Sequence, residues 1–104
     1  MPWYQVPACF FGGVMLANFV PHFVAGVSGR PLQSPFATPP FRGLSSPAVN
    51  VLWGVFNASA AYVLLVLVAD FELRRVVHVA IAATGFTLAA IALAQKLRRL
   101  NSAP

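Results

Sequence analysis

Asn18 and His22 stand four residues apart in an otherwise apolar stretch, with Pro21 between them. On a helix, residues at i and i+4 lie one above the other, so the amide and the imidazole share one face. Pro21 adds an acceptor beside them, because it lacks the N–H that would have bonded the carbonyl of Ala17. A polar side chain held in lipid is costly unless something pairs with it, which makes His22 a functional hypothesis. A second polar stripe follows, in which Asn50, Gly54, Asn57 and Ala61 are spaced by four, three and four. Asn18, His22, Asn50 and Asn57 are therefore expected to form one polar cluster, with Arg30 and Arg42 above it. Such a cluster suits two chemistries. One is the bridging of helices by side-chain hydrogen bonds, worth ~0.6 kcal/mol each on average. The other is binding of a lipid headgroup, a quinone ring or a pigment. The bridging role is the more common one and is favoured.

Enzymatic machinery is hard to find. The chain has two carboxylates, Asp70 and Glu72, and both sit beside Arg74 and Arg75 in a short polar turn. There is no Ser-His-acid set, no cluster with metal-ligand spacing and no glycine-rich phosphate loop. No catalytic residue, no metal site and no required cofactor is expected, and the chain does not read as an enzyme. Cys9 is alone, so it forms no intramolecular disulfide. The two histidines, His22 and His78, fall at opposite ends of their spans and cannot share an iron. A single histidine suffices for a pigment, so that use of His22 stays open. Proton or ion conduction calls for carboxylates or a polar file at mid-membrane. The second span offers only Asn57 and Ser59, which leaves a small homo-oligomeric transporter as the third reading.

The elements that position these residues follow from composition. Of 104 residues, 59% are hydrophobic and 9% charged, against about 25% charged in a soluble domain. The solvent over most of the surface must be lipid. The net charge of +5 lies in residues that flank apolar runs, which marks membrane anchoring and orientation and excludes nucleic acid. Three spans are expected, over residues 6–27, 47–69 and 76–96, in a single membrane domain covering 1–104. Ser46 is placed to cap the second span and Pro47 to open it, where its missing N–H costs nothing. The short turn between the second and third spans predicts an antiparallel transmembrane hairpin. On the third span His78, Ala82, Gly85 and Ala89 form a small-residue stripe that should turn inward, with Thr84 and Thr87 nearby. A signal peptide is the competing reading of the first run. It fails for want of a basic n-region and a small-x-small cleavage pattern.

The loop over 28–46 holds Pro31, Pro35, Pro39 and Pro40, which forbid helix and favour extended or turn geometry. It also carries Leu32, Phe36, Phe41 and Leu44, so it should fold back onto the helix ends. Arg30, Arg42, Lys96, Arg98 and Arg99 lie on one side of the three spans, and Arg74 and Arg75 on the other. The positive-inside rule then puts the long loop and the C-terminus in the cytoplasm and the N-terminus outside.

The stretches Asn18-Phe-Val-Pro-His22-Phe, Ser34-Pro-Phe-Ala37 and Asn50-Val-Leu-Trp53-Gly54-Val-Phe-Asn57 resemble small bacterial inner-membrane proteins that have no assigned catalytic residues. The resemblance covers roughly residues 17–60 and implies a bacterial origin and an inner-membrane location. The fold expected is an all-α membrane protein of three transmembrane helices, with a proline-rich loop between the first two. The leading functional expectation is an accessory or assembly subunit of a larger, energy-transducing membrane complex. The alternative is a protein that binds lipid, quinone or pigment at the cytoplasmic end of the first two spans.

Overall fold

The computed structural model describes residues 1–102 and is all-α apart from one two-residue strand pair. Helix α1 covers Gln5–Val27 and continues through Pro21. Proline is tolerated there because neighbouring groups in a membrane bundle re-satisfy the freed carbonyl. Its end is sharply defined. Gly29 takes the left-handed conformation (φ 75°), the Arg30 N–H bonds the Ala25 carbonyl at 2.8 Å and the Gly29 N–H bonds that of Gly26 at 3.1 Å. This Schellman turn satisfies the carbonyls that a helix end leaves open.

The proline-rich loop then forms a small antiparallel pair, β1 (Leu32–Gln33) and β2 (Leu44–Ser45), with Leu32 opposite Ser45 and Gln33 opposite Leu44. The hydroxyls of Ser34 and Ser45 bond each other beneath it. Helix α2 begins at Pro47, with the Ser46 hydroxyl accepting from the Val49 N–H at 3.2 Å. It is α-helical to Tyr62 and widens to a π-helix over Val63–Val68. The widening keeps one seam in register. After Ala61 the contacts with α1 pass to Leu65, which lies against Gly12, and to Ala69, which is buried with Ala8 and Cys9. Two successive steps of four would rotate off the seam in a helix of about 3.6 residues per turn. Helix α3 covers Val76–Asn101.

All three helices are long and apolar enough to cross a membrane, with mean hydropathies of 1.6, 2.1 and 2.1 over their most apolar stretches. Length and composition thus make this a multi-pass membrane protein. The buried share of those stretches is 39% for the first helix, 17% for the second and 11% for the third, so α1 is the centre. Both α2 and α3 pack along it and scarcely meet each other. This corrects the expected hairpin: α2 and α3 are joined by a short turn, but they flank α1 and leave a cleft between them.

The cause lies in the small residues of α1. Gly13 lies against the Ala82 carbonyl and Gly85 against that of Phe10, with no room for a Cβ at either. On the other side Gly26 meets the backbone at Pro47 and Val51, while Gly54 meets Phe23. Lipid tails are as apolar as leucine, so close backbone approach of this kind, rather than hydrophobicity, decides which helices pair.

The third helix also differs from expectation. It runs on to Asn101 instead of ending near residue 96, since leucine, lysine and arginine are good helix formers. The extra turn brings the Asn101 side chain to Gln33, where the two amides bond reciprocally at 2.9 and 3.2 Å. The C-terminal end of α3 is thereby tied to the loop. Of the inward stripe expected on α3, His78 and Gly85 are buried and Ala82 and Ala89 half-buried. Thr84 bonds only the Ala80 carbonyl of its own helix, at 2.7 Å.

Candidate functional site

Asn50 is fully buried at the start of α2. Its Nδ2 faces three backbone carbonyls, those of Leu32, Ser45 and Ser46, each at 3.1 Å. That environment fixes the amide's orientation and turns Oδ1 toward His22 Nδ1, at 2.7 Å. An amide oxygen can only accept, so Nδ1 carries the imidazole proton. Nε2 of the neutral ring then keeps a free lone pair, and it makes no hydrogen bond among the described residues.

One turn deeper, Asn18 Nδ2 donates to Asn57 Oδ1 at 2.9 Å, and Asn57 Nδ2 donates to the Trp53 carbonyl at 2.8 Å. The four residues expected in one cluster therefore stand as two cross-helix pairs, Asn18–Asn57 and His22–Asn50. Both lie between α1 and α2, where the spacing of the two stripes puts them.

Arg30 and Arg42 lie elsewhere. Both are exposed and neither joins this network among the described residues. Arg30 borders a cleft with Val20 and Val24 on the outside of α1, and Arg42 one with Lys96 and Arg99. The physical reason is the strand pair. With Leu32 and Ser45 held opposite each other, the loop offers Asn50 its backbone carbonyls and directs the arginine side chains to solvent.

Two cavities adjoin the pairs. The cleft between α2 and α3 has a volume of about 400 Å³ and an almost wholly apolar lining that includes Val14, Phe56, Ala60, Ala89 and Ala92. A smaller cavity of about 110 Å³ lies under the loop, lined by His22, Gln33, Ser34 and Phe41 among others. Asn18, Trp53, Leu93 and Lys96 border both, so the apolar cleft and the polar cavity adjoin along these four residues.

Trp53 is the wall between the protein's inside and lipid. Its ring is stacked on Phe56 at 5.4 Å and edge-on to Phe36 at 5.1 Å. Its indole N–H is buried without an acceptor. Lys96, which the sequence marks only as a helix-end cation, holds its ammonium 4.9 Å above the Phe41 ring, a cation–π geometry. Phe41 reaches it from a left-handed backbone conformation (φ 65°).

The residues missed by sequence reasoning are thus Trp53, Lys96, Gln33 and Ser34. An indole one turn below Asn50 was a visible signal for the first. The others depend on the loop's pairing and on the length of α3, which no local pattern carries. No protein-family model, curated protein or solved structure matches this chain.

Proposed function

We propose that this is a lipid-binding protein of the bacterial inner membrane, which holds one amphiphile with its tail between α2 and α3 and its head under the loop. One observation carries the reading: an apolar groove between α2 and α3 adjoins, at Trp53 and Lys96, a small polar cavity at the helix ends. Ligand sites are typically apolar clefts with a few placed polar groups, and this space has that form. Size separates the three ligand classes. An apolar cavity of ~150 Å³ takes up benzene, so a polar cavity of about 110 Å³ favours a compact head over a substituted quinone ring or a pigment macrocycle. A compact lipid head fits. The basic residues favour an orientation with loop and C-terminus in the cytoplasm, because Arg30, Arg42, Lys96, Arg98 and Arg99 cluster at that end.

The test is native mass spectrometry after gentle detergent extraction. Wild type should retain one lipid per chain, and Ala92→Phe, which fills the groove from α3, should lose it. Equal retention by both would overturn the reading.

A second reading is favoured by the scarcely buried outer faces of α2 and α3, and it makes the chain an accessory subunit of a larger membrane complex. The same spectra decide it: a wild type found only as monomer or homo-oligomer excludes that role.

A further inference from the structure

We infer that the cavity under the loop is a carboxylate-head site, and that the bound amphiphile is a single-chain fatty acid read by His22 and Lys96. This rests on the amphiphile reading above and names its ligand.

The donors and acceptors at the polar end are unusually well determined. His22 is nine-tenths or more buried, and Asn50 holds its Nδ1 proton, so the ring offers the cavity an Nε2 lone pair. Trp53 offers an N–H that is buried and unpaired. Lys96 offers a cation that borders the same cavity. Among the described residues no acidic side chain lies at this end, since Asp70 and Glu72 are in the turn between α2 and α3. The site thus presents one acceptor and one neutral donor that no other described residue satisfies, with the Lys96 cation, held over the Phe41 ring, at its rim.

A carboxyl group matches that set in either protonation state. As the acid, its O–H donates to His22 Nε2 and its carbonyl accepts from Trp53 and Lys96. As the carboxylate, its proton resides on Nε2, and the imidazolium and ammonium both donate to the two oxygens. One proton is shared in each case, and in the carboxylate form the negative head lies against both cations, the imidazolium of His22 and the ammonium of Lys96.

Other heads fit less well. A methyl ester has no proton for Nε2, and an alcohol leaves Lys96 without a counter-charge. A diacyl phospholipid brings a phosphodiester, which only accepts and so has no proton for Nε2. The tail then runs from the carboxyl past Trp53 into the α2–α3 groove, where Ala89 and Ala92 leave room for it.

The experiment uses the full chain in lipid nanodiscs, with Trp3→Phe so that Trp53 is the sole tryptophan. The probes are a mid-chain brominated fatty acid, its alcohol and its methyl ester, each of which quenches nearby indole. Quenching by the acid should saturate and be displaced by unbrominated fatty acid. Binding should be about tenfold or more tighter than for the ester, as expected when a buried polar site loses its partner. Lys96→Met, a change at an exposed position, should abolish the preference for acid, and His22→Phe should do the same. Equal affinity for all three heads would overturn the carboxylate site and leave the lipid reading standing. An acid preference that survives Lys96→Met would overturn the assignment to this cavity. Absence of saturable quenching by any probe would overturn both readings.

Discussion

Replacing Asn50 with alanine should open the loop while the three spans stay inserted. Asn50 is the one side chain that bonds the loop to both helices: it accepts from His22 on α1 and donates to Leu32, Ser45 and Ser46 on the loop and its junction with α2. An amide has two N–H protons, so the three carbonyls share them, and the residue is worth at most three full hydrogen bonds. At about 0.6–1.5 kcal/mol each, three bonds give a loss of about 2–4.5 kcal/mol. Asn57 sets the internal scale. It bonds Asn18 across the helices but spends its own N–H on Trp53 in the same helix, so Asn57→Ala should cost only about 1 kcal/mol. Unfolding in mixed micelles, titrated with denaturing detergent, measures both variants on one axis. Limited trypsin digestion supplies the local readout. Arg42 precedes Gly43 in the loop, and cleavage there should accelerate in Asn50→Ala while sites in the turn at Arg74 and Arg75 stay unchanged. An Asn50→Ala protein no less stable than Asn57→Ala, with unaltered cleavage at Arg42, would refute the role assigned to Asn50.

Two further outcomes test the packing. Gly85→Ala should cost about 1–3 kcal/mol, because the new methyl strikes the Phe10 backbone and forces α3 off α1. Gly54→Ala should cost clearly less, since its neighbours on Phe23 begin at 3.1 Å; the reverse order in the same unfolding assay would refute this account of the helix contacts. His78→Phe should be neutral within ~1 kcal/mol or stabilising, since it removes a buried N–H that has no acceptor. The phenyl ring keeps the stack on Phe71, and the Glu72 N–H that His78 Nδ1 accepts at 3.1 Å belongs to an exposed turn residue that water can serve. A loss above ~2 kcal/mol would mean that Nε2 has a partner.

The features legible in the sequence are those set by local chemistry. Hydropathy marks the three spans because it measures preference for lipid over water, and Ser46 with Pro47 marks the start of α2 because capping is local. The stripe from Asn50 to Ala61 is buried along its whole length, as its spacing required. Which helix lies in the middle was not legible in the same way. Hydropathy does not distinguish a helix facing lipid from one facing another helix, and the loop length between α2 and α3 pointed to the wrong neighbours. The better signal was the density of small residues on α1, with Ala8, Cys9, Gly12, Gly13 and Ala17 presenting two faces along which a neighbour can approach. The pairing of Gln33 with Asn101 spans 68 positions and depends on α3 extending past its basic residues. No local pattern encodes it, so the floor and roof of the polar cavity were hidden.

The polar atoms left over at the two ends of the bundle explain why only one end is assigned a ligand. At the turn end the buried and unpaired atoms are Gln5 Oε1 and the His78 ring N–H. One is an acceptor and the other a donor, and they belong to the two helices that approach at Gly13–Ala82 and Phe10–Gly85. Such a pair is mutually complementary, and neither residue borders the clefts described above. Ordered water commonly meets such needs of buried polar atoms without any ligand. At the loop end the leftover groups are not complementary to each other in number or charge. A lone pair on His22, an indole N–H and the cation of Lys96 surround a cavity, and donors outnumber the acceptor. Water can serve all three, but among the described residues no acidic side chain lies at this end to pair with Lys96. A negatively charged head on an apolar chain supplies the missing charge and fills the groove behind it. The two ends therefore differ in that only the loop end sets unpaired polar atoms and a cation around a cavity, and it is this that singles out the cavity under the loop.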